Sequence, residues 1–242
     1  MLLSTIILFG SNNSANATAE WTGVAVLVVD VQKCFIEGGS LAVPGANQAY
    51  VKSVEKSVRF AKSHGALILG SRDYHPEGHV SFASNHPGSA IGDVIVLPNG
   101  VSQKLWPNHC VQTTGDSRAM IDNNLFFELI KKGDDPNVDS PSAFKDDLAR
   151  MTELNDILKR QSIKTLIVFG LATDVCVKQT VMDALTLKYK VAFVEDLSRG
   201  ITHEGVVSTI SEMKSRGVDI LKDENEMRRF LLREGGKIRQ GS

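Results

Sequence analysis

A single cysteine, Cys176, stands where the sequence predicts a turn between a strand and a helix. The segment before it, 165–169, is short, apolar and rich in branched side chains, which is typical of a buried parallel strand. Apolar residues at helical spacing follow over 175–189. Unpaired backbone N–H groups in a first helical turn lower a thiol pKa, so the pattern favours a nucleophile. An inert buried cysteine would produce the same local pattern.

An aspartate follows the first predicted strand. The apolar segment 24–29 leads directly into Asp30, which places a carboxylate at the carboxyl end of that strand. Sites in open α/β sheets form at these ends. A carboxylate beside a nucleophilic thiol can take the thiol proton and return it to a leaving amine. Asp30 is therefore a candidate acid/base.

Two further segments carry groups that can bind metal. Asp73 and His75 follow the apolar segment 66–70, and their alternation puts both side chains on one side of an extended chain, where they can chelate a divalent ion. His109 lies in a proline-stiffened loop next to Trp106.

Taken together, the motifs resemble the nicotinamidase branch of the isochorismatase-like cysteine hydrolases. The resemblance covers about residues 24–221 and rests on five motifs in order: Asp30-Val31-Gln32, Asp73-Tyr74-His75, Trp106-Pro107-Asn108-His109-Cys110, Lys132-Gly133 and 170–177. It implies a three-layer α/β/α fold with a mostly parallel, roughly six-stranded sheet. It also implies hydrolysis of nicotinamide to nicotinate and ammonia, a reaction of NAD salvage.

The resemblance assigns the catalytic roles. Cys176 becomes the nucleophile that forms a thioester, Asp30 the acid/base and Lys132 the third catalytic residue. The N–H groups of Ala172 and Cys176 become the oxyanion hole, and the Leu171–Ala172 peptide bond is expected to be cis. A cis bond without proline is costly and survives only where the surrounding structure enforces it. Without the resemblance, Lys132 would be interpreted as a solvated lysine in a charged loop.

The resemblance also assigns substrate and cofactor. Asp73, His75 and His109 match the ligands of a divalent metal, most readily zinc, with iron or manganese as alternatives. The metal would bind the pyridine nitrogen, and Phe35 and Trp106 would stack on the ring. Nicotinamide and its ring analogue pyrazinamide are the expected substrates.

Three positions depart from the family pattern or vary within it. Cys34 stands where relatives often have an acidic residue, and Pro141 stands where an aromatic residue is usual. The change at Pro141 bears on substrate preference more than on reaction type. His79 matches a position that approaches the metal in some relatives, and its role is left open.

Composition excludes some partners. The chain has 242 residues, with 27 basic and 28 acidic side chains and a net charge of −1, so we expect no nucleic-acid or membrane partner. Its three cysteines show no zinc-finger spacing. Because a catalytic Cys176 must stay reduced, a cytoplasmic location is expected. Outer apolar side chains allow a homo-oligomer.

The sequence predicts one hydrolase domain over 21–234, with a loop-rich insertion around 81–122. Residues 1–20 begin with an apolar stretch but carry no Lys or Arg. A flexible extension is therefore favoured over a signal segment. Residues 235–242 are expected to form a flexible tail.

Three alternatives stay open at this point. The nearest is another small-amide hydrolase of the same superfamily, acting on a carbamoyl or ureido compound, although such branches usually lack the metal motifs. Isochorismatase itself does not carry the nucleophilic cysteine. The third is a non-catalytic binding protein that keeps the fold.

Overall fold

Six parallel strands form the central sheet of the protein in a computed structural model that describes residues 22–240. A separate antiparallel hairpin lies in the insertion. In chain order the strands are β1 (Val24–Val29), β2 (Leu67–Asp73), β3 (Val94–Val96), β4 (Ser102–Lys104), β5 (Glu128–Lys132), β6 (Thr165–Gly170), β7 (Lys190–Val194) and β8 (Asp219–Leu221). The sheet order is β5-β2-β1-β6-β7-β8, and β3 pairs with β4. The predicted parallel sheet is confirmed.

Helices cover both faces of this sheet. They are α1 (Gln48–Ser63), α2 (Leu154–Arg160), α3 (Lys178–Thr186), α4 (His203–Ser215) and α5 (Glu224–Gln240). Helices α1 and α5 bury their apolar residues with one face of β1, and α2, α3 and α4 with the other. Alternate residues of β1 therefore enter opposite cores, and all of its side chains are buried. Such two-sided burial explains why β1 is a continuous apolar run.

The register of the strands brings the candidate site residues to one edge. Val29, the last residue of β1, pairs with Ser71 of β2 on one side and with Gly170 of β6 on the other. Asp73, at the end of β2, pairs with Lys132, at the end of β5. Since carboxyl ends of parallel strands share an edge, the residues at these positions converge there.

Two local elements differ from the sequence-based prediction. Lys132 is the last residue of β5. The sequence of this strand, Glu-Leu-Ile-Lys-Lys, does not predict a strand. The segment after β6 forms a π-helical turn over Thr173–Val177 before α3 begins, so the α-helix is shorter than the apolar pattern over 175–189 suggests.

The chain ends have separate outcomes. Helix α5 continues to Gln240, through most of the segment that the sequence suggests as a tail. Residues 1–20, with the possible signal segment, lie outside the described residues. Between residues 22 and 240, none of the helices combines the length and apolar character needed to cross a bilayer.

Candidate active site

Cys176 lies on the π-helical turn that follows β6, at the wall of a cavity of about 420 Å³. The approach to this turn requires glycine at Gly170, which has φ of 136° and whose Cβ would come within 2.8 Å of the backbone of Val29. The next peptide bond, Leu171–Ala172, is cis, which confirms the prediction. Both Ala172 and Cys176 line the cavity.

Asp174 ties this turn to the start of α4. Its carboxylate accepts hydrogen bonds from the N–H groups of Ile201, at 2.8 Å, and Thr202, at 3.1 Å. Gly205 leaves room for that carboxylate, since a Cβ there would lie 2.5 Å from Asp174 Oδ2. The nucleophile turn is therefore braced from the loop after β7.

Asp30 leaves β1 in the left-handed region, with φ of 51°, and its side chain is completely buried. The hydroxyl of Ser71 donates a hydrogen bond to Asp30 Oδ1 at 2.7 Å. No described residue donates a hydrogen bond with good geometry to Oδ2. Burial raises the pKa of Asp30 to about 6, against the lowering influence of Lys132. Asp30 Oδ2 is thus placed to take a proton near neutral pH.

Lys132 is buried at the end of β5 and joins three acidic or nucleophilic groups. Its Nζ lies 3.0 Å from Asp30 Oδ2 and 3.6 Å from Cys176 Sγ, contacts Asp73 Oδ1, and donates to the carbonyl of Ser140 at 3.1 Å. Burial alone would lower the pKa of Lys132, but Asp30 and Asp73 raise it well above its ordinary value. The side chain is a buried cation, not a solvated loop lysine.

The thiol itself is held close to both carboxylates. One oxygen of Asp30, one oxygen of Asp73 and Sγ of Cys176 all lie within 4.8 Å of one another. Burial raises the pKa of the Cys176 thiol well above its ordinary value, although Lys132 opposes this. The expectation of a lowered thiol pKa is wrong, because burial outweighs the opposing charge of Lys132. Attack by sulfur therefore needs a base, and Asp30 is adjacent.

Asp73, His75 and His109 form a donor set on the other side of Lys132. Asp73 Oδ2 lies 3.6 Å from His75 Nε2 and 3.9 Å from His109 Nε2. Each imidazole has its Nδ1 at 2.8 Å from a backbone carbonyl, of Gly133 for His75 and of Pro107 for His109. A carbonyl only accepts, so each Nδ1 carries a proton, and Nε2 is the nitrogen of each ring that faces Asp73.

This donor set fits a divalent metal. Two imidazoles and one carboxylate, with their backbone supports in place, match zinc, iron or manganese sites that keep open positions. Burial and the neighbouring His75 lower the pKa of His109 to about 4, which keeps its ring neutral. Burial would raise the pKa of Asp73, but Lys132 and His75 outweigh it and keep the carboxylate ionised.

His79 packs behind the donor set. Its ring lies 4.1 Å from that of His75, its Nδ1 is 2.7 Å from Ser81 Oγ, and its Nε2 is 3.3 Å from the carbonyl of Val138. Both ring nitrogens therefore face protein groups, and His79 supports His75 from behind.

Aromatic side chains border the cavity beside the donor set. Phe35 is buried, with its ring 5.5 Å from that of His109, and Trp106 is half-buried. The ammonium group of Lys104, on β4, lies 4.5 Å from the centre of the Trp106 ring. Pro141 also lines the cavity. Aromatic side chains at a cavity wall can attract a flat heteroaromatic ring by stacking.

Sequence reasoning missed three features of this site. The first is Ser71, which has a weak signal: it precedes Asp73 by two residues in an apolar strand, so both face the same way. The second is the contact of Asp73 with Lys132, which makes this carboxylate common to both clusters. The third is a disulfide between Cys34 and Cys110.

Comparisons with known proteins identify relatives of this chain. The family model for the isochorismatase domain matches residues 24–225. The nicotinamidase of Escherichia coli strain K12 is 40% identical over 186 residues, which cover 73% of this chain and 83% of that protein.

Solved structures are similar as well. A nicotinamidase and pyrazinamidase of Acinetobacter baumanii superposes with a TM-score of 0.76 at 34% identity, covering 85% of this chain and 98% of that one. The pyrazinamidase of Pyrococcus horikoshii in complex with zinc has a TM-score of 0.71 at 32% identity, covering 83% and 99% of the two chains.

Proposed function

This chain belongs to the isochorismatase domain family, and we propose that it hydrolyses nicotinamide to nicotinate and ammonia. One observation carries the proposal: the ammonium group of Lys132 contacts Asp30, Asp73 and Cys176 at the wall of a cavity that also holds a His–His–Asp donor set. A thiol, a base and a cation in contact can cleave an amide by acyl transfer. The nicotinate product is a precursor for NAD salvage.

The first half-reaction transfers the acyl group to sulfur. Asp30 Oδ2 takes the thiol proton as Cys176 Sγ attacks the amide carbon, and Lys132 stabilises the negative charge that the thiolate carries during attack. We assign the N–H groups of Ala172 and Cys176 to the developing oxyanion, because both residues line the cavity at the attack point. Asp30 then returns its proton to the leaving nitrogen, which departs as ammonia.

The second half-reaction releases the acid. Water attacks the thioester carbon and gives its proton to Asp30, whose pKa of about 6 suits both roles near neutral pH. The carbon–sulfur bond breaks, Cys176 recovers the proton from Asp30, and nicotinate leaves. The same oxyanion donors serve both tetrahedral species.

Ring recognition is assigned to the other end of the cavity. Asp73, His75 and His109 would hold a divalent ion, zinc most readily, which when bound supplies a Lewis acid for the pyridine nitrogen. Phe35 and Trp106 would stack on the ring faces. Pyrazinamide keeps a ring nitrogen and an amide in related positions, so it should also be hydrolysed.

The test is ammonia release from nicotinamide by the purified full chain. We expect turnover by the native protein and none above background for Cys176→Ala, which should still bind nicotinamide in equilibrium measurements. Metal-loaded native protein that binds nicotinamide without releasing ammonia would overturn the proposal. A cytoplasmic location and self-association stay predictions.

A further inference from the structure

The two cysteines of the disulfide each adjoin a residue of the proposed site. Cys34 directly precedes Phe35, and Cys110 directly follows His109. Both cysteines are completely buried, and their Cα atoms are 5.3 Å apart although 76 residues separate them in sequence. The bond therefore joins the segment that carries an aromatic wall to the loop that carries a metal-ligand candidate.

The Cys110 side of the bond is also connected to the second imidazole. The N–H group of His75 donates to the carbonyl of Cys110 at 3.2 Å, and the N–H group of Gln112 donates to the carbonyl of His75 at 2.8 Å. This short parallel pairing places His75 beside the loop that carries His109. The centres of the two imidazole rings are 4.9 Å apart. Any shift of Cys110 therefore moves the backbone that positions both imidazoles.

The Cys34 side is fastened to the turn that carries Phe35. The N–H group of Leu41 donates a hydrogen bond to the carbonyl of Cys34 at 2.9 Å. The N–H group of Val43 donates to the carbonyl of Phe35, also at 2.9 Å. Leu41 and Val43 line the same cavity as Phe35. This wall is thus a small hydrogen-bonded unit, and the disulfide is its covalent link to the imidazole loop.

Cys110 also adopts a backbone conformation that is disfavoured for a residue with a side chain, with φ of 48°. The chain bends there directly after His109, and no glycine provides the freedom.

We propose that Cys34 and Cys110 are positioning residues, whose disulfide fixes the Phe35 wall against the His75 and His109 loop so that the oxidised protein holds metal and ring substrate more tightly than the reduced one. The part that concerns the ring rests on the proposed function. A bond of purely structural importance would stabilise the fold and leave both affinities unchanged.

The first measurement is a thiol count. The aerobically purified chain, unfolded and alkylated, should show one reactive thiol, that of Cys176, and three after treatment with a phosphine. In that treatment the phosphine takes oxygen from water and the two sulfurs leave as thiols. Three reactive thiols without phosphine would contradict the proposal at once.

The second measurement is the affinity for Zn²⁺ alone, by competition with a chromogenic chelator after the phosphine is removed under nitrogen. We expect the Zn²⁺ affinity of the oxidised chain to be about ten-fold higher than that of Cys34→Ser with Cys110→Ser, which lacks both the disulfide and the thiol that reduction frees beside Asp73 and His109. The variant Cys34→Ser with Cys110→Ser should show the same lower affinity in both states. Its insensitivity to phosphine is the matched control for effects on Cys176 or on the metal.

The third measurement separates positioning from mere stability. At saturating Zn²⁺ we expect the KM for nicotinamide to rise several-fold on reduction, with kcat within about two-fold. A lower melting temperature with unchanged Zn²⁺ affinity and KM would overturn the proposal. If the oxidised protein released no ammonia at all, the proposed function would fail instead, and the Zn²⁺ comparison would still decide the role of the disulfide.

Discussion

Nζ of Lys132 lies 3.0 Å from Oδ2 of Asp30 in a pocket where both side chains are buried. The same ammonium group contacts Asp73, so two buried carboxylates share one buried cation. Removing a partner from a buried ion pair typically costs about 3–5 kcal/mol, because an uncompensated charge is left behind. Stability and catalysis therefore depend on the same lysine.

The substitution Lys132→Met should lower both the catalytic rate and the stability of the fold. We expect kcat for ammonia release to fall by about two to three orders of magnitude, as when one stabilising group is removed from an acyl-transfer site. The melting temperature should fall as well. Lys131→Met is the matched control, since Lys131 is exposed on the same strand, and its kcat should stay within about two-fold. Equal losses in the two variants would contradict the role of Lys132.

The pH dependence of activity should reflect the ionisation of Asp30. As the base that accepts the thiol proton, Asp30 must be ionised before attack, and its pKa is raised to about 6. Activity should therefore decline as the pH falls through about 6 and be retained above it. The profile of kcat/KM, measured in buffers that do not chelate metal, shows this limb directly.

Ser71→Ala should move that limb upward. The Ser71 hydroxyl donates to Asp30 Oδ1 at 2.7 Å and lowers the pKa of Asp30. Loss of a hydrogen bond worth about 1 kcal/mol to the ionised form corresponds to a shift of roughly one pH unit. An acid limb at the same pH in both proteins would refute the assignment of the limb to Asp30.

The donor set should govern metal content and substrate affinity together. His109→Ala should weaken Zn²⁺ binding more than about 100-fold, beyond the usual effect of changing only the supporting groups of a metal ligand. The KM for nicotinamide should rise with it. His64→Ala, an exposed histidine at the end of α1, is the control and should match the native protein. Chelator-treated native protein should behave like His109→Ala until Zn²⁺ is restored.

Gly133 offers a test that leaves every ligand in place. It has φ of 64°, and a Cβ there would lie 2.6 Å from Nδ1 of His75. Gly133→Ala should therefore push the imidazole aside and weaken Zn²⁺ binding by about ten-fold or more. At Gly78 a Cβ would meet nothing within 4 Å, so Gly78→Ala should bind Zn²⁺ normally. Normal Zn²⁺ binding by Gly133→Ala would contradict the position of His75.

Local sequence pattern predicted much of this site. Asp30 and Cys176 each follow an apolar run that the structure shows as a buried strand, so strand ends and chemistry could be identified together. The alternation of Asp73 and His75 likewise predicted a shared face. These predictions needed only two general rules: side chains alternate along a strand, and the carboxyl ends of parallel strands share one edge of the sheet.

Other features depend on neighbours that are distant in sequence. Lys132 ends an edge strand of which only two residues are buried, so its sequence carries no strong strand pattern and the residue came only from the family resemblance. The pairing of Cys34 with Cys110 requires the approach of segments 76 residues apart, which the spacing of cysteines does not encode. The raised pKa of Cys176 follows from burial, which is a tertiary property.

The register of β1 on β2 also makes the chemistry a probe of folding. Val29 pairs with Ser71, and a slip of one residue would turn Arg72 towards the site in place of Ser71 and Asp73. Such a mispaired chain could keep its helices and most of its strands, yet Asp30 would lose its donor and Lys132 its second carboxylate. The specific activity of a refolded sample therefore measures the fraction of molecules whose sheet has the correct strand register. Backbone spectroscopy hardly detects this fraction, because a mispaired chain keeps nearly the same secondary structure.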